Sequence, residues 1–339
     1  MRTGIRAHPE ALFAAMAFSA VLSLASATAF PATAQQQTLE SITIIAPASP
    51  GGGWDQTARA MQEVLQQENI ARTVQVQNIS GAGGTIGLAQ FVTQRKGDAK
   101  SLLVGGLVMV GAIQTNQSPV TLDQVTPIAR LTGEYEVVVV PASSDVRTMD
   151  DLVQRLKADP RAVSWAGGSA GGTDHMLVGL IAQAAGVQPA QVNYIPYSGG
   201  GEALASLLGG HVSAGVSSYG EFAGQIAAGQ LRALALSAPQ RVAGIDVPTL
   251  VEQGINVELT NWRGVFAPPG LQDQSRQALA AAIDRMVKSE SWQATLRQRD
   301  WIDLYQPPQE FAGFLAADRQ RVETVLEDIG LVQATGQTR

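Results

Sequence analysis

Short apolar runs recur along the chain, and between them apolar residues return every three or four positions. The runs Ile42–Ala46, Thr73–Gln77, Leu102–Gly105, Glu136–Val140, Ala162–Ala166, Val192–Ile195, Val212–Ser217, Leu231–Leu236 and Gly264–Ala267 are predicted to be strands. Met149, Leu152, Val153 and Leu156 fall at i, i+3, i+4 and i+7, and Phe311, Leu315, Val322, Val325 and Ile329 line one face of a last helix. Strand and helix alternating in this way predict α/β units with largely parallel sheets. The run Leu102–Ile113 holds three glycines and is too short to span a bilayer, so it reads as a buried strand and turn.

The first 34 residues have a different pattern. Arg2 and Arg6 precede an uncharged, mostly apolar run from Ala11 to Phe30, followed by Pro31 and Ala32-Thr33-Ala34. A basic start, an apolar middle and a small-x-small end are the parts of a secretory signal peptide. The run approaches the ~20 residues of a membrane span, but its Ala and Ser content and the cleavage signal favour export with cleavage near Ala34. The expected mature protein is soluble and periplasmic. No cysteine is present, so no lipid attachment point, disulfide, iron–sulfur cluster, Cys-ligated zinc or thiol nucleophile exists.

At about 150 residues per domain, 339 residues suggest two domains. Lys and Arg total 23 against 29 Asp and Glu, a net charge of −6; loss of Arg2, Arg6 and Glu10 with the leader makes it −7. Nucleic-acid binding needs a basic excess and is excluded. Charged residues are 15% of the chain and hydrophobic ones 45%, which is a globular composition rather than a disordered one.

Five glycine-rich turns stand where strands end and helices should begin: Pro47–Asp55, Ser80–Gly87, Gly105–Met109, Gly167–His175 and Tyr197–Gly201. The first turn of a helix offers unpaired N–H groups and partial positive charge, so it binds anions without a cationic side chain. Glycine allows close backbone approach and positive φ, a role assigned here to Gly52. Ser49, Ser80, Thr85, Ser169, Thr173 and Ser198 add hydroxyls. Ligands in open α/β sheets sit beyond the carboxyl ends of the strands, so the turns predict a site for a small carboxylate or phosphate. Ile44–Gly53 and Val192–Gly201 also echo each other, each a strand leading through Pro and Ser into three glycines. Two lobes, each with such a turn, would explain the echo; so would coincidence between two common βα turns.

Other chemistry is discounted. Gly167-Gly168-Ser169-Ala170-Gly171 matches G-x-S-x-G, which leaves an exported serine hydrolase built on Ser169 as the alternative function. His175 follows that serine too closely for the usual order, and His211 enters a strand, so no catalytic residue is assigned. Ile86 occupies the third glycine position of a dinucleotide fingerprint. Asp174-His175 lacks a second histidine at ligand spacing, so no metal site and no cofactor are expected. His175 either donates to a bound carboxylate or is satisfied by the backbone at a helix start. Trp54 either walls the pocket or joins the core. Asp55 would repel an anion and is better suited to bracing its own loop, and Arg263 to a structural ion pair than to a ligand fork.

Pro47–Asp55, Gly168–His175, Tyr197–Glu202 and Asn261–Gly264, in this order and spacing, resemble the extracytoplasmic solute-binding receptors of tripartite tricarboxylate transporters, the Bug-type proteins. The resemblance covers about residues 40–330. It implies an α/β periplasmic binding protein of the two-lobed Venus-flytrap kind (type II), each lobe a mixed sheet flanked by helices. The lobes would be residues 38–135 with 238–330, and 136–237, hinged on two crossing strands, Glu136–Val140 and Leu231–Leu236. It further implies a monomeric receptor, not an enzyme, that closes on a small organic carboxylate, a citrate-like tricarboxylate before a dicarboxylate, and hands it to membrane permease subunits. Carried over residue by residue, Ser49, Gly52, Gly53, Trp54 and Asp55 match the first turn, and Ser80 and Thr85 the adjacent one. Ser169, Thr173, Asp174 and His175 match the second lobe, with Tyr197, Ser198 and Gly199 beside them.

Overall fold

The computed structural model describes residues 38–333; the leader assigned to residues 1–34 lies outside them. The chain begins with β1 (Leu39–Ala46), α1 (Gly53–Gln67), β2 (Ala71–Asn78), α2 (Thr85–Gln94), β3 (Ser101–Gly106) and α3 (Leu107–Thr115). β4 (Thr126–Pro141) and α4 (Met149–Ala158) lead to β5 (Ser164–Gly167), α5 (Thr173–Ala184), β6 (Asn193–Pro196), α6 (Gly200–Leu208), β7 (Ala214–Ser218), α7 (Tyr219–Ala227) and β8 (Leu231–Leu236). β9 (Thr260–Ala267), α8 (Asp273–Lys288), α9 (Glu290–Gln298), β10 (Ile302–Gln306) and α10 (Pro308–Asp328) complete it.

Neighbouring strands run in the order β2-β1-β3-β9-β4-β7-β5-β6, with β8 and β10 also pairing β4. The outer groups β2-β1-β3 and β6-β5-β7 are parallel, but every pairing made by β4 or β9 is antiparallel. The largely parallel sheets expected from the strand–helix alternation alone give way to the mixed sheet that the resemblance implies. β4 joins two sections: Thr126–Tyr135 pairs β9, whereas Glu136–Val139 pairs β7 and Val137–Pro141 pairs β8. The chain returns through residues 237–259, pinned where the Ser237 hydroxyl donates to the Leu259 carbonyl at 2.6 Å and accepts the Glu136 N–H at 2.9 Å. Glu136–Val140 and Leu231–Leu236, read above as crossing strands, lie side by side, with Val137 opposite Leu236.

The helix at Met149 forms because Thr148 and Asp151 cap it reciprocally, the Thr148 hydroxyl accepting the Asp151 N–H and the Asp151 carboxylate accepting the Thr148 N–H. Its four predicted apolar residues are all buried. α10 buries Phe311, Leu315 and Val322, and Trp262 meets Phe311 edge-on at 5.7 Å. The run expected as strand and turn is instead β3 followed at once by α3. β10 and the first ten residues of β4 were not foreseen. Pro127, Arg130, Gly133 and Glu134 break the β pattern there, and pairing on both sides carries the strand through two register shifts.

Topology sets the two strands of the internal echo at different positions. β1, β2 and β3 occupy the central, outer and inner positions of one parallel group; β5, β6 and β7 occupy the same positions in the other. The counterpart of β1 is β5, so Pro47–Asp55 corresponds to Gly167–His175, one strand away from its sequence look-alike after β6.

Candidate functional site

The turns after β1, β2 and β3 pack on one another. An added Cβ at Gly87 would meet Pro47 at 2.7 Å, and one at Gly84 would meet the Trp54 indole at 2.6 Å. Trp54 thus wedges between the β2–α2 turn and Gly106, 8% exposed, with its Nε1 3.3 Å from the Gly106 Cβ position. It belongs to the core. In the other section the Tyr197 N–H donates to the Gly167 carbonyl at 2.8 Å and the Tyr194 hydroxyl to the Gly168 carbonyl at 2.8 Å.

Both sets of turns meet. Gly111 of α3 abuts the Gly171 carbonyl, the Thr115 side chain packs against Gly171, and Val108 lies 3.5 Å from the Gly172 Cβ position. On the other flank the Arg263 guanidinium lies 2.7 Å from the Gly53 Cβ position and is ion-paired with Glu134, whose Oε1 lies 3.0 Å from the Gly220 Cβ position. The carboxyl ends of two groups of parallel strands therefore face each other across residues supplied by β4 and β9.

Each corresponding turn is braced by a carboxylate one or two turns downstream. Asp55 accepts the Gly51 N–H at 2.8 Å, Arg59 Nε at 2.9 Å and Asn78 Nδ2 at 2.9 Å, and Asn78 also donates to the Ala48 carbonyl. Burial alone would raise the Asp55 pKa; these bonds more than offset it and hold the carboxyl below its usual range. Asp55 braces its loop. Asp174 accepts the Gly168 N–H at 2.6 Å, and Glu202 accepts the Ser198 N–H at 3.1 Å. These bonds lie upstream of the first helical residues, whose own N–H groups have no intrahelical acceptor.

Other assigned residues separate by role. Ser49, Ser80 and Ser198 are exposed, and Ser169 is half-buried. Thr85 donates to the Ala82 carbonyl and the Tyr197 hydroxyl to Ser206, so both are used structurally. Thr173 Oγ1 is buried and has no partner among the described residues. Gly52 has φ −69° and Gly199 φ 171°, both open to any residue; the positive φ assigned to Gly52 belongs to Gly51, at 85°. His175 stacks on Tyr194 with ring centres 4.0 Å apart and accepts the Gly171 N–H at Nδ1, which leaves Nε2 as the proton-bearing atom. Burial pushes the imidazole down to about 4, so it is neutral at physiological pH.

Arg263 is buried against Glu134, 5.2 Å from the Trp301 ring centre, with Thr57 accepting from Nη1 at 3.4 Å. Its charge is spent inside the protein, as a structural ion pair. Sequence reasoning missed Glu134, Glu136, Ser217, Ser218 and Glu221, which sit between the turns, and Gly111 and Thr115 of α3. Their only signal was three acidic residues amid apolar strand and helix patterns. A separate cavity of about 630 Å³ is lined by Ser144, Arg155, Ser164, His211 and Ser213 among others. It opens near the amino ends of β5 and β7 and contains none of the assigned residues, so the strand-end rule favours the turns.

This arrangement is that of the two-lobed periplasmic binding proteins. Rpa4515 of Rhodopseudomonas palustris, solved with adipate, superposes with TM-score 0.77 at 23% identity over 86% of this chain and 97% of its own. MatC of the same organism, solved with bound malate, gives TM-score 0.75 at 23% identity over 88% and 100%. Protein BugT of Bordetella pertussis is 29% identical over 308 residues, 89% of this chain and 93% of BugT. The family model described as tripartite tricarboxylate transporter family receptor matches residues 57–331, and the chain belongs to that family. Its members are solute-binding receptors rather than enzymes, so the nucleophile reading of Ser169 falls. No helix among the described residues is long and apolar enough to cross a membrane.

Proposed function

We propose that the protein is exported, cleaved near Ala34, and works as a monomeric periplasmic receptor that captures a small organic carboxylate between its strand-end turns and delivers it to membrane permease subunits. The lobes would be residues 38–135 with 238–330, and 136–237, closing about β4 and the return segment at Ser237. The carrying observation is that the β1–α1 and β5–α5 turns stand at the carboxyl ends of the two parallel groups, each braced by its own carboxylate, while the nearby cations are already paired, Arg263 with Glu134 and Arg59 with Asp55. First-turn amides of α1 and α5, with Ser49, Ser169, Thr173 and Nε2 of His175, then supply the donors.

Charge ranks the ligands. Glu136, Asp174 and Glu221 lie near the same turns, so each further carboxylate on the ligand adds repulsion. A C4 to C6 dicarboxylate is therefore favoured over the citrate-like tricarboxylate that the family name suggests. Malate and adipate in the two structural neighbours are consistent with this. Titration calorimetry of the purified mature protein against malate, adipate, citrate, isocitrate and aconitate tests it. Saturable binding of a dicarboxylate is expected; heat from citrate alone would reverse the ranking, and silence with every carboxylate would overturn the receptor reading.

A further inference from the structure

Four carboxyl groups gather where β4 passes from one sheet section to the other: Glu134 and Glu136 on β4, Asp174 on α5 and Glu221 on α7. Three have their needs met. Glu134 holds Arg263, Glu221 accepts the Ser217 hydroxyl at 2.6 Å, and Asp174 accepts the Gly168 N–H. Glu136 is fully buried, and its Oε1 accepts the Ser218 hydroxyl at 3.2 Å, but no donor among the described residues reaches its Oε2. Besides the Asn261 amide, which favours the charged form of Glu136, the group facing it within hydrogen-bonding reach is the Asp174 carboxyl. Two carboxylates cannot bond each other without a proton between them, and an unpaired buried carboxylate oxygen is costly.

We propose that Glu136 and Asp174 share one proton, which makes Glu136 a positioning residue for the Gly167–Thr173 turn and makes ligand capture weaken as pH rises. The chain is short and local: Glu136 holds Asp174, Asp174 holds the Gly168 N–H, and that turn carries Ser169 and Thr173. The surroundings favour the proton. Glu134 and Glu221 add negative charge from β4 and α7, and the nearby Arg263 on β9 is already paired. From β6, Tyr194 is held neutral by burial, and on α5 itself His175 carries no charge. Asn261 and Ser237 are uncharged, and the hydrogen bond from Asn261, which lowers the Glu136 pKa, is outweighed by burial and the acidic neighbours. Burial and these neighbours push both carboxyls above their usual range. Loss of the proton would set two like charges face to face beneath the turn that receives an anion.

In the folded chain the pair keeps a proton that the unfolded chain, with carboxyl pKa values near 4, has given up. Stability therefore declines as pH rises from about 4 until the pair itself ionises, by up to about tenfold in the folding constant per pH unit. Thermal unfolding of the ligand-free protein from pH 5 to 9 reads this directly. Glu136→Gln replaces the shared proton with an amide hydrogen, and Asp174→Asn does so from the other side while its carbonyl still accepts from Gly168. Both variants are expected to fold and to lose a slope of one proton relative to the wild type; His175 cancels in that comparison. Parallel curves for wild type and both variants would overturn the proposal. Should either variant fail to fold, infrared spectroscopy of the wild type decides: a protonated-carboxyl band at neutral pH is expected, and its absence refutes the pair. The ligand half rests on the receptor reading. Adipate affinity should fall between pH 6.5 and 8.5 in the wild type and not in Glu136→Gln; equal declines would remove the link to capture. A one-proton difference in stability without adipate binding at either pH would instead leave the pair standing and count against the ligand.

Discussion

Arg263→Ala separates the two things a buried arginine beside an anion site can do. The side chains of Arg263 and Glu134 are 4% and 6% exposed, and removing the arginine leaves Glu134 buried without a counter-charge. Breaking such a pair costs about 3–5 kcal/mol, a large part of the roughly 5–15 kcal/mol that holds a domain folded. At about 2 °C per kcal/mol, the value for large domains, melting should fall by about 6–10 °C. Burial already pushes the Glu134 pKa up, with Arg263 opposing it. Once unopposed, Glu134 takes up a proton in the folded state that the unfolded chain lacks above about pH 4. The variant's stability then falls with rising pH by up to about 1.4 kcal/mol per unit, so its deficit is smaller at pH 5 than at pH 8. Calorimetric melting at both values tests this, and adding Glu134→Gln should recover part of the loss. Dicarboxylate affinity, measured well below melting, should change less than tenfold. A variant with wild-type stability and more than a hundredfold weaker binding would show that the guanidinium grips the ligand, and the main-chain account of the site would be wrong.

Three further outcomes follow from named contacts. Gly111→Ala would push a methyl into the Gly171 carbonyl that it abuts in this structure; overpacking of about 1–3 kcal/mol should lower the melting temperature by at least about 2–6 °C. Unchanged melting would mean that α3 and the turn do not meet. Gly51→Ala forces a Cβ into φ 85° and should cost about 1–2 kcal/mol, whereas Gly52→Ala, at φ −69°, should cost less; denaturant unfolding that ranks them the other way refutes the turn geometry. His175, with its pKa lowered to about 4, stabilises the fold fully above about pH 6.5, and that contribution is lost as pH falls towards 4. The stability difference between wild type and His175→Asn, which keeps an acceptor for the Gly171 N–H, should therefore shrink between pH 7 and 4.5; a constant difference would show that the imidazole is not buried neutral.

Strand and helix periods, the glycine turns and the self-bracing of Asp55 are local matters, and the amino-acid order determined them. β8 spans Leu231–Leu236 as its apolar run predicts, and Asp55, four residues past Gly51, reaches back to it with no help from distant chain. Tertiary structure decided the rest. Thr126–Tyr135 becomes a strand only because β9 and β10 pair with it, against the grain of Pro127 and Gly133. The β1 and β6 turns echo each other in sequence yet follow strands at different positions in their groups, since strand order depends on neighbours far apart in sequence. Glu134 and Arg263 lie 129 positions apart, and Glu136 and Asp174 belong to different elements. Charges buried together by a fold have no period along the chain, so no pattern in the sequence could announce them; only the crossing of β4 between its two sheet sections brings them within reach.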